Sequence, residues 1–467
     1  MRKSTLPLWG TLVILLSGCP SQPDVHLNDT SNSNRPPVSQ GHSRLLGPLS
    51  KIKALSDIPT VINLIEETIP YETMSSSDLA TLGDLFLSQN RLDDAARAFQ
   101  SALVKDPKDV YSQYSLALVA GAQGKTEEQR LVLNQIVKKN PTHAPSLAAL
   151  GRLAQEENKI IEARDFYERS LASGASEEAF VGLGLLEMEK GSPQRSVELL
   201  TQAKELYPNS EPVAALRAAA LGNEDKVYDA EREYTRAISL DPKGFWNYLD
   251  RGRLRWLKMF KPEEALEDLN KALSIEPDNY HAHLYRGEVN EALGKVPGAY
   301  QDFLAVYKAT PELRTIYPSL AIFSFTMEDW EVAARAAQLS AQEYPGEYAF
   351  PWIAALSLRA LGRVRESEQL LDREARRFAP NTTIADTFRF LRNPTSNTAE
   401  FTLSNRLKGE PDNLLRTRVQ FYMGFVYFVQ KSRFASSARA HLTPVSEATI
   451  PNVPEIFMAK YLLEQLK

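Results

Sequence analysis

The chain has 467 residues, a formal net charge of −5, 43% hydrophobic and 24% charged residues, and one cysteine, Cys19. This composition suits a packed soluble fold, and the near-balanced charge disfavours nucleic acid as the main partner. A lone cysteine excludes a disulfide within the chain and argues against a cysteine-based metal site.

Arg2 and Lys3 precede an apolar run from Leu6 to Leu16, interrupted by Pro7, Gly10 and Thr11. The run has the length of a signal-peptide core and is too short to span a bilayer. It ends in Leu16-Ser17-Gly18-Cys19, which resembles a bacterial lipobox. The resemblance implies that residues 1–18 are a leader and that Cys19 is lipidated and becomes the first mature residue. Loss of Arg2 and Lys3 takes the charge to −5 − 2 = −7. Several acyl chains on one residue would anchor the protein stably. Pro20 stands where lipoproteins kept at the inner membrane often carry aspartate, which points to the outer membrane. Residues 19–44 are rich in Ser, Asn, Pro and Gln and read as a disordered tether. Such a tether reaches about 25–30 Å.

Residues 45–75 read as an N-terminal cap. Asp57 to Ile69 predicts a helix, with Asp57 as its N-cap, Pro59 in its first turn, and Ile58, Val61, Ile62, Ile65 and Ile69 on one face.

From Ser76 to Pro380 the sequence repeats. Asp278 to Pro311 shows one unit clearly. A first helix is expected from Tyr280 to Leu293, stopped by Gly294. A second is expected from Pro297 to Ala309, stopped before Pro311. Gly287 in the first helix costs about 1 kcal/mol against alanine, which makes sense if the second helix passes close. Ala299 is the small partner and Phe303 the large knob between helix pairs. Pro107, Pro141, Pro208, Pro242, Pro277, Pro311, Pro345 and Pro380 mark a period of 34 or 35, and Ala175 fills the missing place. Unit one carries Leu82, Gly83, Phe86, Ala95, Phe99, Ala102 and Pro107 at the same offsets. This pattern resembles the tetratricopeptide repeat over nine consecutive units. The resemblance implies an all-α fold, a helical-repeat solenoid built as a right-handed superhelix of antiparallel helix pairs.

After Pro380 the pattern fades. Residues 381–413 are expected to be an irregular connector, with one helix-like piece from Asp386 to Leu391. Residues 414–467 read as a degenerate pair, with Gly424 and Ser436 at the small positions, followed by a closing helix from Pro454. The run Phe421, Tyr422, Phe425, Tyr427 and Phe428 reads as packing for this pair or as a partner-binding face.

No phosphate-binding glycine loop, HExxH or GxSxG is present. His281 and His283 are two apart and point in different directions on a helix, so no metal site, cofactor or catalytic residue is assigned. The expected function is binding. The resemblance implies ligand contacts from first-helix positions, which map to Tyr111, Tyr114, Arg152, Trp246, Arg253, Trp256, His281, Phe325, Trp352 and Arg359. Aromatic and Arg side chains are favoured anchors. The Lys and Asn set with which some members of this family clamp chaperone tails is missing. Arg359 to Arg439 holds 15 basic and eight acidic residues, net +7. Within it Arg363, Arg365, Arg373, Arg376 and Arg377 form a basic patch that could take an anionic glycan or an acidic protein. Two readings follow: a membrane-anchored protein-interaction scaffold in the bacterial envelope, facing the periplasm, or a surface-exposed adhesin for host cells, matrix protein or sulfated glycan.

Overall fold

A computed structural model describes residues 45, 58–429, 434–450 and 453–466. The expectations for the leader, Cys19, the tether and the Asp57 cap lie outside these residues. Among the described residues the chain is built from α-helices joined by short turns, with no strand. They divide into two units, one up to Asp241 and one from Pro242 onward.

The first unit opens with α1 (Ile58–Thr68), which buries Ile58, Val61, Ile62 and Ile65. Five helix hairpins follow: α2 (Ser76–Ser88) with α3 (Leu92–Lys105), α4 (Val110–Ala122) with α5 (Thr126–Lys139), α6 (Ala144–Glu156) with α7 (Ile160–Ser173), α8 (Glu177–Glu189) with α9 (Pro193–Leu206), and α10 (Glu211–Asn223) with α11 (Val227–Leu240). Local chemistry fixes their ends. Ser75, Asp109, His143, Ser176 and Ser210 each accept a backbone N–H at the start of a first helix. Asn90, Gly124, Asn158, Gly191 and Asp225 take left-handed backbone in the turns between paired helices, where Gly, Asn and Asp cost least. Packing explains the mid-helix glycines. A Cβ at Gly83 would lie 2.7 Å from the Phe99 ring, and one at Gly151 would lie 2.7 Å from Tyr167.

The second unit continues with four more hairpins: α12 (Phe245–Leu257) with α13 (Pro262–Ile275), α14 (Tyr280–Ala292) with α15 (Val296–Ala309), α16 (Tyr317–Thr326) with α17 (Trp330–Glu343), and α18 (Ala349–Ala360) with α19 (Val364–Ala375). Their turns use Phe260, Gly294, Glu328 and Gly362 in left-handed conformation. A Cβ at Gly287 would lie 3.1 Å from Phe303, which explains that glycine. Phe303 also stacks on Phe323 of the next hairpin at 6.0 Å, so it fills the space between pairs.

Residues 381–413 differ from the expected irregular connector. They form α20 (Thr383–Arg392) and α21 (Asn397–Lys408). The Thr and Ser that suggested loop are caps: Thr382 accepts from the Ala385 N–H and Ser396 from the Ala399 N–H. Phe388, Phe390 and Leu391 are buried, which supplies the apolar face. Beyond them lie α22 (Asn413–Val429), α23 (Ala435–Ser446) and α24 (Pro454–Gln465).

Helices α22 and α24 do more than extend the row. Phe425 of α22 stacks on Phe325 of α16 at 4.0 Å, and Tyr422 meets Trp352 of α18 edge-on at 5.4 Å. Met458, Ala459 and Leu462 of α24 join the same core. As a result all ten residues of α16 are buried, and so are Ala349 to Leu358 of α18. Phe421, Tyr422, Phe425 and Tyr427 are core residues, and Phe428 is half-buried.

Candidate functional site

The first helices of repeats six and seven, α12 and α14, keep one face partly open. Trp246, Asp250 and Arg253 follow one another at i, i+4 and i+7 on α12, which places them on one face. His281, Tyr285 and Glu288 occupy the corresponding positions on α14, 35 residues later. All six are half-buried. Trp256 and Glu291 extend the two rows.

Hydrogen bonds tie these rows together. Asp250 pairs with Arg253 at 3.1 Å. The Trp256 indole N–H donates to Glu288 at 3.1 Å. Ser319 of α16 donates to Glu291 at 2.9 Å. The His281 ring lies 4.0 Å from the Tyr280 ring, tilted by 32°. Burial pushes the Glu288 carboxyl up to about 7, against the Trp256 hydrogen bond. Burial likewise raises Glu291 to about 7, opposed by Ser319 and reinforced by the Glu288 charge. Asp250 is raised by burial, with Arg253 pulling the other way. His281 is lowered by burial and then by the Arg253 charge. The face therefore offers two indole surfaces, a guanidinium, an imidazole and three carboxyls raised by burial, Glu288 and Glu291 to about 7. It can grip a polypeptide segment through stacking and hydrogen bonds. Among the described residues no group of His, Cys, Asp and Glu is arranged to hold a metal ion.

The remaining expected contacts lie elsewhere. In the first unit Tyr111 donates to Asp84 at 2.8 Å. Tyr114 is buried edge-on to His143. Arg152 bridges Glu178 at 3.0 Å and Glu156 at 2.8 Å. These three work between neighbouring repeats. In the second unit Phe325 and Trp352 are fully buried beneath α22 and present no surface to a ligand. Arg359 donates to the Arg392 carbonyl at 2.7 Å. The basic patch is partly neutralised: Arg363 pairs with Glu366 at 2.6 Å, and Arg373 and Arg377 both hold Glu374. Among the described residues Arg365 and Arg376 are exposed and have no ion-pair partner.

The sequence reading missed a ladder inside the hairpins. Position seven of the first helix is Arg, and position seven of the second is acidic, in three successive repeats. Arg217 meets Glu233 at 2.8 Å, Arg251 meets Asp268 at 2.7 Å and Arg286 meets Asp302 at 2.7 Å. The carboxylates are buried, and Asp302 also takes His283 Nδ1 at 2.8 Å and the Asn290 amide at 2.9 Å. The signal was present as a second 34- or 35-residue period in charge. The Asp250, Glu288 and Glu291 carboxyls left no such signal, because only their neighbours on adjacent helices set them apart.

Comparison with known proteins agrees with the hairpin pattern. The sequence matches the tetratricopeptide repeat family over residues 81–144 and 257–313. It is 22% identical over 236 residues to the DnaJ homolog subfamily C member 7 homolog of Dictyostelium discoideum, covering 50% of this chain and 40% of that protein. It is 27% identical over 149 residues to the heat shock protein sti1 homolog of Schizosaccharomyces pombe, covering 31% of this chain and 23% of that protein. The chain thus spans less than half the length of these relatives. Among solved structures, YrrB, described as a TPR protein with an unusual peptide-binding site, aligns with TM-score 0.32 and 23% identity over 40% of this chain and 96% of that one. The fold is an all-α helical-repeat solenoid of tetratricopeptide type.

Proposed function

We propose that this tetratricopeptide-repeat protein is a non-enzymatic interaction scaffold of the bacterial envelope. A lipidated Cys19 holds it to the membrane, at the outer membrane, and it grips a segment of a partner protein along the first helices of repeats six and seven. One observation carries the binding reading: Trp246, Arg253 and Trp256 on α12 and His281 on α14 are only half-buried, while the matching rows of repeats eight and nine are closed by the chain's own helices. Half-exposed Trp and Arg beside paired carboxyls are the residue types that anchor interfaces. Placement in the envelope rests on the Leu16-Ser17-Gly18-Cys19 sequence.

The test uses the full chain in cells, with Trp246 and Arg253 both changed to Ala. The double variant is expected to keep its helical content and lose at least tenfold in partner recovery after crosslinking. Unchanged recovery would sink the binding row. Cys19→Ala is expected to move the protein out of the membrane fraction.

The adhesin reading draws on the basic stretch, in which three of five arginines are ion-paired. It is separated from the scaffold by protease treatment of intact cells, which would digest an adhesin and spare a periplasmic protein. Similarity to DnaJ and heat-shock homologues makes a chaperone a competing partner, and the same crosslinking experiment would reveal it.

A further inference from the structure

Repeats eight and nine carry a first-helix face of their own, and the chain already shows what fits it. Helix α22 lies against α16 and α18 with a spaced set of side chains: Arg418, Phe421, Tyr422 and Phe425. Phe425 stacks on Phe325 at 4.0 Å and stands edge-on to Trp330 at 6.0 Å. Tyr422 meets Trp352 at 5.4 Å. Arg418 Nη1 lies 3.4 Å from Glu347, just ahead of α18, and Arg418 Nε lies 3.3 Å from Glu455 of α24. Its guanidinium also sits 5.9 Å from the Tyr348 ring.

This seam is apolar at one end and poorly satisfied at the other. Arg418 is 6% exposed, Glu455 1%, and Tyr422 and Trp352 are fully buried. Yet Arg418 Nε, Glu455 Oε2, the Tyr422 hydroxyl and the Trp352 indole N–H lack a well-formed hydrogen bond, although Arg418 and Tyr422 both interact with the Glu455 carboxylate. A buried polar group without a partner costs free energy, and so does a buried charge pair with imperfect geometry. Among the described residues four of the seven such atoms lie at this boundary between the repeats and the C-terminal helices, the others being Ser196 Oγ, Arg359 Nε and Glu374 Oε2. Elsewhere in this unit a buried charge is well held, as at Asp302. Strain gathered at one seam marks a contact that can open.

We propose that α22 to α24 are a displaceable internal ligand of repeats eight and nine, and that this face takes a partner helix in trans with the same chemistry: an arginine followed at i+3, i+4 and i+7 by aromatic side chains. This surface is separate from the open row of repeats six and seven and does not depend on it. Opening of the seam frees Phe325, Trp352 and Glu347 together. The incoming helix replaces the aromatic stacking and the arginine pairing with Glu347, so its recognition is set by spacing and not by length alone.

The test compares the full chain with its Arg418→Ala variant. The probe is a synthetic peptide of residues 411–429, with a control peptide in which Phe421, Tyr422 and Phe425 are Ala. Hydrogen exchange should show α16, α18 and α22 opening together. Arg418→Ala should speed their exchange at least tenfold and leave α12 and α13 unchanged. The probe should bind the variant at least tenfold more tightly than the unaltered chain, and the control peptide should bind neither. Exchange of α22 only through unfolding of the whole unit, or equal behaviour of probe and control, would overturn the proposal. A second variant, Glu455→Gln, removes one buried charge without shortening the side chain and should act in the same direction. If Arg418→Ala fails to fold, Glu455→Gln decides the matter on the same two readouts.

Discussion

Replacing Phe260 by Asn should stabilise the protein. Of the nine turns between paired helices, eight place Asn, Gly, Asp or Glu at the left-handed position, and the ninth uses Phe260. A left-handed L-residue costs about 1–2 kcal/mol, and Asn escapes much of this by local hydrogen bonding. The aromatic ring returns little, since Phe260 is 81% exposed. Full burial of Phe contributes about 1.5–3 kcal/mol, so the covered fifth gives about 0.3–0.6 kcal/mol. The net expectation is a gain of about 0.5–1 kcal/mol. With a slope of about 2 kcal/mol per molar urea, the transition that melts α12 and α13 should shift upward by about 0.3–0.5 M. Repeat arrays can unfold in parts, so exchange of the 245–275 amides should accompany the urea curve. A loss of 0.5 kcal/mol or more would refute the reasoning and show that Phe260 makes a packing contribution its exposure does not reveal.

Three further outcomes are expected. Asp302→Ala removes the shared acceptor of His283, Arg286 and Asn290, leaves a half-buried guanidinium unpaired, and should cost about 3–5 kcal/mol in urea unfolding. Gly182→Ala places a Cβ 2.2 Å from the Tyr167 ring; Tyr167 is 1% exposed and held by Gln155 at 3.0 Å, so it cannot swing aside, and a loss of about 1–3 kcal/mol is expected. For Glu288 and Glu291, the folded carboxyls sit near 7 against an ordinary 4.5; the folded state binds more protons between those values, so their contribution is intact below about pH 4.5 and lost as pH rises through about 7. The double Gln variant should therefore gain stability over the unaltered chain at pH 8, with the gain vanishing near pH 4.5.

Much of this fold was legible because it is written locally and repeatedly. The closing prolines, the Gly, Asn or Asp that follows most first helices, and pairs such as Gly287 with Phe303 recur every 34 or 35 residues, so most units report their own hairpin. The connector was misread because Thr382, Ser396 and Asn397 are loop formers and helix caps alike, and only the buried faces of α20 and α21 decide between the two. The closed face of repeats eight and nine was missed for a different reason. Phe325 and Phe425 are 100 residues apart, and a contact across that distance leaves no period in the sequence. A clue was nevertheless present: YPSLAIFSFT and AFPWIAALSL are apolar on every side, as helices covered all round must be. Trp246, Arg253, Trp256 and His281 were picked out by residue type and position, and the carboxyls beside them emerged only from the packing of α12, α14 and α16.

The central claim is that partner contact runs along repeats six and seven. Its most direct test places a photocrosslinking residue, one site at a time, at Trp246, Arg253, His281, Phe325 and Trp352 of the full chain in cells. Lys271 serves as a control on the exposed side of α13. The account predicts one discrete partner adduct from 246, 253 and 281, and none from 271, 325 or 352 while α22 is in place. Adducts from 271 as strong as those from 253, or none from all three row positions, would contradict it.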